Sequence, residues 1–123
     1  MKAVVTICSS RKDPSPGLLP AMTRYQGSHV GKARAEAASL GAPLYILSGK
    51  FGLIRGDTPI PNYDYHLKEE TPGLAALVAS QLSTEEITDM DFLCLDEKAW
   101  QPYGAVLTRA AELAGAVLTI RKS

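Results

Sequence analysis

Four short apolar runs divide this chain, and the stretches between them change period from two to about 3.6. Residues 2–8 (KAVVTIC) and 43–48 (PLYILS) are nearly continuous in apolar character, as strands buried on both faces must be. Residues 92–95 (FLCL) and 116–120 (AVLTI) read as a third and a fourth strand. After the first strand, Val30, Ala33, Ala37 and Leu40 recur at helical spacing, with Ser28 as the expected cap and Gly41 as the left-handed stop. Thr71-Pro72 opens a second helix striped by Leu74, Leu77, Val78 and Leu82. Ser83 and Glu86 have capping-box spacing, which would begin one further turn. Pro102 argues against a continuous helix from Glu97, so the last helix is expected to start near the proline and to end at Gly115.

The order βαβαβαβ demands parallel strands, because each helix serves as the crossover between two strands. We therefore expect an α/β fold: one small domain with a four-stranded, mostly parallel sheet in the order 2-1-3-4 and helices on both faces. The switch point would fall between strands 1 and 3. A length of 123 residues leaves no room for a two-domain enzyme.

Composition narrows the function classes. Hydrophobic residues make up 46% and charged residues 21%, which suits a globular protein with a modest core. The longest purely apolar stretch, residues 74–79, is too short to cross a bilayer, so no membrane partner is expected. The apolar run near the N-terminus stops at Arg11 and Lys12, before an export signal could form. Cys8 and Cys94 have no spacing motif, which suits a reducing cytoplasm and excludes a zinc knuckle or a disulfide scaffold. His29 and His66 lack partners in the sequence, so no metal and no cofactor are expected.

Charge is unevenly spread on a chain of zero net charge. Residues 1–62 carry eight basic and three acidic side chains, and residues 63–123 carry five basic and ten acidic ones. A basic half on a neutral protein points to a local anion site, not to a general nucleic-acid coat.

The chemistry should lie beyond the carboxyl ends of the strands, where open parallel sheets bind ligands. Cys8, Ser9, Ser10, Arg11 and Lys12 follow strand 1, while Ser48, Gly49, Lys50, Phe51 and Gly52 follow strand 2. Both sets fall on one rim and open into long loops, residues 13–27 and 49–66, of the kind that carries function in small domains. A thiol beside two cations suits a nucleophile, and a small buried packing thiol is the other reading of Cys8. Lys50, between two glycines that let the backbone approach a ligand, suits a phosphate or a substrate carbonyl; the stretch is not a P-loop. Phe51 either stacks on a planar base or plugs the core. The segment 57–66 (DTPIPNYDYH) offers Asp64 as a general base or a partner for a base edge, and Tyr63 or Tyr65 as a packing ring. Tyr25 and Ser28 sit at the start of the first helix, where free N–H groups can receive a phosphate. Trp100 and Tyr103 either line the rim after strand 3 or pack in the core.

In combination, Cys8-Ser-Ser-x-Lys12, Tyr25-x-Gly-Ser28, Tyr45-Ile-Leu-Ser-Gly-Lys-Phe-Gly-Leu53 and Ile60-Pro-x-Tyr-Asp64 resemble the small-domain family related to the peroxide-stress protein YaaA. The resemblance covers about residues 1–67. That wider superfamily is similar in fold to uracil-DNA glycosylases. It also resembles domains of archaeosine synthase and of bacterial 7-deazaguanine DNA modification, where a Cys-Ser-x-x-Lys motif is associated with attack on the nitrile of 7-cyano-7-deazaguanine. The resemblance implies a planar-base pocket on the strand rim and points to Cys8, Ser9, Lys12, Ser48, Lys50, Gly52, Tyr63 and Asp64. This chain departs from the family pattern at Asn62, which separates Pro61 from Tyr63.

Two readings of function follow. The first is an enzyme acting on a nucleobase, nucleotide or modified base in nucleic acid, by addition to a nitrile or by cleavage of an N-glycosidic bond. Catalysis would then rest on Cys8, Lys50 and Asp64, with Ser9, Ser10, Lys12, Tyr25, Ser28, Ser48, Gly49, Gly52 and Tyr63 holding the substrate. The second is a non-catalytic module that binds a nucleotide or nucleic acid through the same rim.

Overall fold

A computed structural model describes residues 1–63, 72–94 and 97–122. Its elements, in chain order, are β1 (Lys2–Ile7), β2 (Leu19–Pro20), α1 (Ala21–Arg24), α2 (Ser28–Leu40), β3 (Leu44–Ser48), β4 (Gly52–Arg55), β5 (Pro59–Ile60), α3 (Pro72–Thr84), β6 (Asp89–Cys94), α4 (Glu97–Ala114) and β7 (Val117–Lys122). The main sheet runs β4-β3-β1-β6-β7. Strands β3, β1, β6 and β7 are mutually parallel, in register Val4↔Leu44, Val4↔Asp91 and Asp91↔Thr119.

The sheet is mixed and five-stranded, which corrects the expected four strands. The addition is β4, which folds back antiparallel on β3 with Leu47 opposite Leu53. Four residues with two apolar members, lying between glycines, carry too little periodicity to mark a strand. Gly52 makes the hairpin possible: its φ is +77°, a conformation that costs glycine nothing. The expected loop 13–27 also holds two small elements. Strand β2 pairs antiparallel with β5, Leu19 opposite Ile60, and so ties that loop to the segment that ends in Tyr63.

The two faces of the sheet are covered separately. Val4 packs with Ala33 and Ala37 of α2 and with Leu93, in a small cluster on one face. Ala3 and Val5 point the other way and join the main core with Leu74, Val78 and Leu82 of α3 and Val106, Leu107 and Ala110 of α4. Small alanines on α2 let that helix approach the sheet closely.

Three helix boundaries differ from expectation. Gly27, not Ser28, is the N-cap of α2, and no side chain caps it. A side chain at Gly27 would meet His29 Cε1 at 2.5 Å and Ser9 Cβ at 2.9 Å, so the crowded position takes a glycine. Helix α4 runs from Glu97 through Pro102. The proline removes one N–H near the start of an 18-residue helix, a local loss offset by the buried stripe of Tyr103, Val106, Leu107 and Ala110 beyond it. Helix α3 stops at Thr84, and Glu86 adopts a positive φ of 58°, so no further turn forms after Ser83.

Candidate functional site

The register of β1 and β3 brings the ends of both strands to one edge. The Cys8 N–H donates to the Leu47 carbonyl at 2.9 Å, which sets Cys8 beside Ser48. His29 Nε2 pairs with the Ile7 carbonyl at 2.9 Å and fixes the start of α2 against the end of β1. The Ser9 hydroxyl donates to the Arg11 carbonyl (2.7 Å) and accepts from the Gly27 N–H (3.2 Å). The Gln26 N–H donates to Arg11 O at 2.9 Å, the Asp13 N–H to Arg24 O at 2.8 Å, and Lys12 bridges to Tyr25. Residues 9–13 are thereby laid alongside 24–27.

Arg24 holds the rest of that loop. It is fully buried, and its guanidinium donates to the carbonyls of Asp13 (2.7 Å), Ser15 (2.8 Å), Gly17 (2.6 Å) and Ile60 (3.3 Å). The two terminal nitrogens of a planar guanidinium suit this arrangement of carbonyls.

At the centre is a set of hydroxyls. Tyr63 Oη hydrogen-bonds Tyr25 Oη and, at 3.0 Å, Ser48 Oγ. Ser48 Oγ accepts the N–H of Lys50 (3.1 Å) and of Phe51 (3.2 Å), so its own proton is directed to Tyr63 Oη. Burial pushes the phenols of Tyr25 and Tyr63 above their ordinary value, and both stay neutral at physiological pH. Their rings meet edge to face, with centroids 6.3 Å apart, and Phe51 meets Tyr63 the same way at 5.2 Å.

Two ammonium groups flank the Tyr63 ring. Lys12 Nζ lies 4.6 Å and Lys50 Nζ 5.3 Å from its centroid. No carboxylate of the described residues pairs with either lysine. Ser10, Lys12, Asn62 and Tyr63 line an open cleft of about 450 Å³ here. Cys8 stands apart from that lining. Its thiol is buried and donates to Tyr103 Oη of α4 at 3.3 Å.

Of the residues singled out in the sequence, Ser10, Lys12 and Tyr63 line the cleft, Lys50 and Phe51 adjoin Tyr63, and Tyr25 and Ser48 bond its hydroxyl. Ser9 acts on backbone groups of the rim, and Gly52 shapes the β4 hairpin, with Gly49 in the turn before it. Ser28 is exposed in the first turn of α2 and caps nothing. Asp64, Tyr65 and His66 lie outside the described residues, as does the side chain of Trp100. Tyr103 belongs to both the core and the rim, through its ring and its hydroxyl respectively.

Sequence reasoning missed Asn62, Arg24 and Gln81. Gln81 of α3 accepts the Leu53 N–H (2.7 Å) and donates to Phe51 O (3.2 Å), so it braces the turn that carries Lys50. Only Asn62 left a signal, as an insertion in the Pro-Tyr-Asp stretch. Among the described residues no three His, Cys, Asp or Glu side chains come together to hold a metal ion, and no helix is long and apolar enough to cross a membrane.

Residues 4–118 match the pattern of a protein family described as "Family of unknown function (DUF6884)". No curated protein and no solved structure matches the chain.

Proposed function

We propose that this chain, which belongs to the DUF6884 family, seats a nucleobase-bearing ligand in the cleft over Tyr63 and processes its base. One observation carries this reading: two lysines without a described counter-charge flank one aromatic ring, at the mouth of a cleft beyond the ends of parallel strands. Planar and anionic parts of one ligand answer to the ring and the ammonium groups. The Asn62 amide and the Ser10 hydroxyl supply donors and acceptors for a base edge. The resemblance of residues 1–67 to the YaaA-related family supports the same ligand class.

In this reading Cys8 is the nucleophile for a nitrile-bearing deazapurine. Its sulfur forms a bond to the nitrile carbon, the thiol proton passes to the nitrile nitrogen, and a thioimidate results. Tyr103 Oη, at 3.3 Å from the sulfur, orients the thiol. Cleavage of an N-glycosidic bond is the other chemistry of the same pocket, and Asp64 would then serve as the carboxylate near the sugar.

A binding module without chemistry is the second reading. It is favoured by the Cys8 thiol, which is buried against Tyr103 and absent from the cleft lining. Wild-type protein and Cys8→Ser, incubated with 7-cyano-7-deazaguanine, nucleosides and nucleotides, separate the three by mass spectrometry. A thioimidate adduct formed on the wild type and absent from Cys8→Ser supports the thioimidate route. A free base released by both supports the glycosidic route. Thermal stabilisation by a ligand with no product supports the module, and no stabilisation by any of them overturns the base pocket.

A further inference from the structure

The basic side chains of residues 1–62 do not act as one patch. Arg24 is buried among four carbonyls. Lys2 pairs with Asp91 at 3.4 Å, and Arg55 with Asp57 at 3.7 Å. Lys32 and Arg34 are exposed on α2. Arg11, Lys12 and Lys50 remain at the edge where β1 and β3 end. Of these, Lys12 lines the cleft and Lys50 approaches it across Tyr63.

Of that remainder the two lysines stand at the Tyr63 ring, while Arg11 is absent from the cleft lining. Two ammonium groups lie within 5.3 Å of one ring centroid, so an anion beside that ring is attracted by both. A phosphate monoester brings about two negative charges and three acceptor oxygens, which matches the pair. A nucleic-acid strand presents one phosphate after another and is gripped by a row of cations, with a salt dependence that grows with each contact. No such row leads away from this cleft among the described residues. A volume of about 450 Å³ lies within the range of small-ligand pockets.

We infer that the ligand is a free nucleoside monophosphate or a close analogue, its phosphate drawn to Lys12 and Lys50 beside Tyr63, and not a base within a polymer. The inference rests on the base-pocket reading above and narrows it.

The test is calorimetric titration with five classes of probe: the four nucleoside 5′-monophosphates, the matching nucleosides, inorganic phosphate, a single-stranded 12-mer DNA and its duplex. One monophosphate should bind at least about tenfold more tightly than its nucleoside. Lys12→Met and Lys50→Met, their folding checked by circular dichroism, should each abolish most of that margin. The logarithm of affinity should fall with the logarithm of salt at a slope of about −1 to −2. Equal binding of nucleoside and monophosphate overturns the phosphate clamp and leaves the base pocket standing. Binding of inorganic phosphate alone overturns the base pocket and leaves the clamp. DNA bound more tightly than any monophosphate, with a slope steeper than about −4, overturns the free-nucleotide assignment. No binding by any probe overturns both readings.

Discussion

Tyr25 and Tyr63 show how single side chains set the conditions under which the site exists. Both phenols are raised above the ordinary value of 10.0, chiefly by burial. Below that value folded and unfolded chains alike keep the proton, and full stability is present. Above it the unfolded chain releases protons that the folded chain retains, so stability falls as pH rises. For the buried Tyr25 the fall approaches about 1.4 kcal/mol per pH unit; for the partly buried Tyr63 solvent screening makes it smaller. Tyr25→Phe should lose about 1 kcal/mol at pH ~8 with the hydrogen bond to Tyr63, and should be less sensitive than the wild type to alkali. Urea unfolding at pH ~8 and pH ~10.5 measures the difference. An equal loss in both proteins would remove Tyr25 as its source. The polar character of this rim was legible in the residue types. The order of its bonds was not, because Tyr25 and Tyr63 stand 38 residues apart.

Among the elements, the β4 hairpin matters most to the site. It carries the turn of Lys50 and Phe51, and it is anchored from outside by Gln81 of α3. Gly52 is the weak point. A Cβ there would lie 2.5 Å from Gln81 Oε1 and would have to adopt φ near +77°. Gly52→Ala should therefore cost about 1–3 kcal/mol, part strain and part loss of the two Gln81 bonds. Gln81→Ala loses the same two bonds but leaves the glycine unstrained, so it should cost about 1–2 kcal/mol, less than Gly52→Ala. Urea midpoints for the two variants test the ranking, and a neutral Gly52→Ala would show that the hairpin is unstrained. The four parallel strands were legible because each is a local apolar run with a helix to cross it. Strand β4 was not, since its pairing with β3 is a tertiary gain for a segment with almost no pattern of its own. Helix α4 makes the same point in reverse: a proline that reads as a boundary is absorbed because the buried stripe beyond it outweighs one lost hydrogen bond.

For the molecule as a whole, the side chain that binds most layers together is Asp91 in the middle of the sheet. It is 6% exposed, forms an ion pair with Lys2 of β1 at 3.4 Å and accepts from Arg121 of β7 at 3.3 Å, and Arg121 also reaches Glu36 of α2 at 2.9 Å. Asp91→Asn leaves two cations facing a neutral amide. Since both cations are partly solvated, the cost should be about 1–2 kcal/mol, below that of a fully buried broken pair. Thermal unfolding in low and high salt measures it, and the gap between wild type and variant should narrow as salt screens the wild-type pairs. An unchanged melting temperature would mean that the network adds nothing to the sheet. This ladder also explains why the third strand begins at Asp89, ahead of its apolar residues. Alternating aspartates read as surface until the neighbouring strands supply Lys2 and Arg121.

Local periodicity was enough to determine the α/β class, the parallel strands and the edge at which their following loops gather, because these depend on contacts between near neighbours and on the handed crossover of strand, helix and strand. Partnership was decided only in three dimensions. Which lysines find no counter-charge among the described residues, which arginine is drawn inside, and which phenol receives the Cys8 thiol 95 residues away all turn on charges and hydrogen bonds between distant segments. Such bonds follow from the packed shape, and a linear pattern of residues does not contain them.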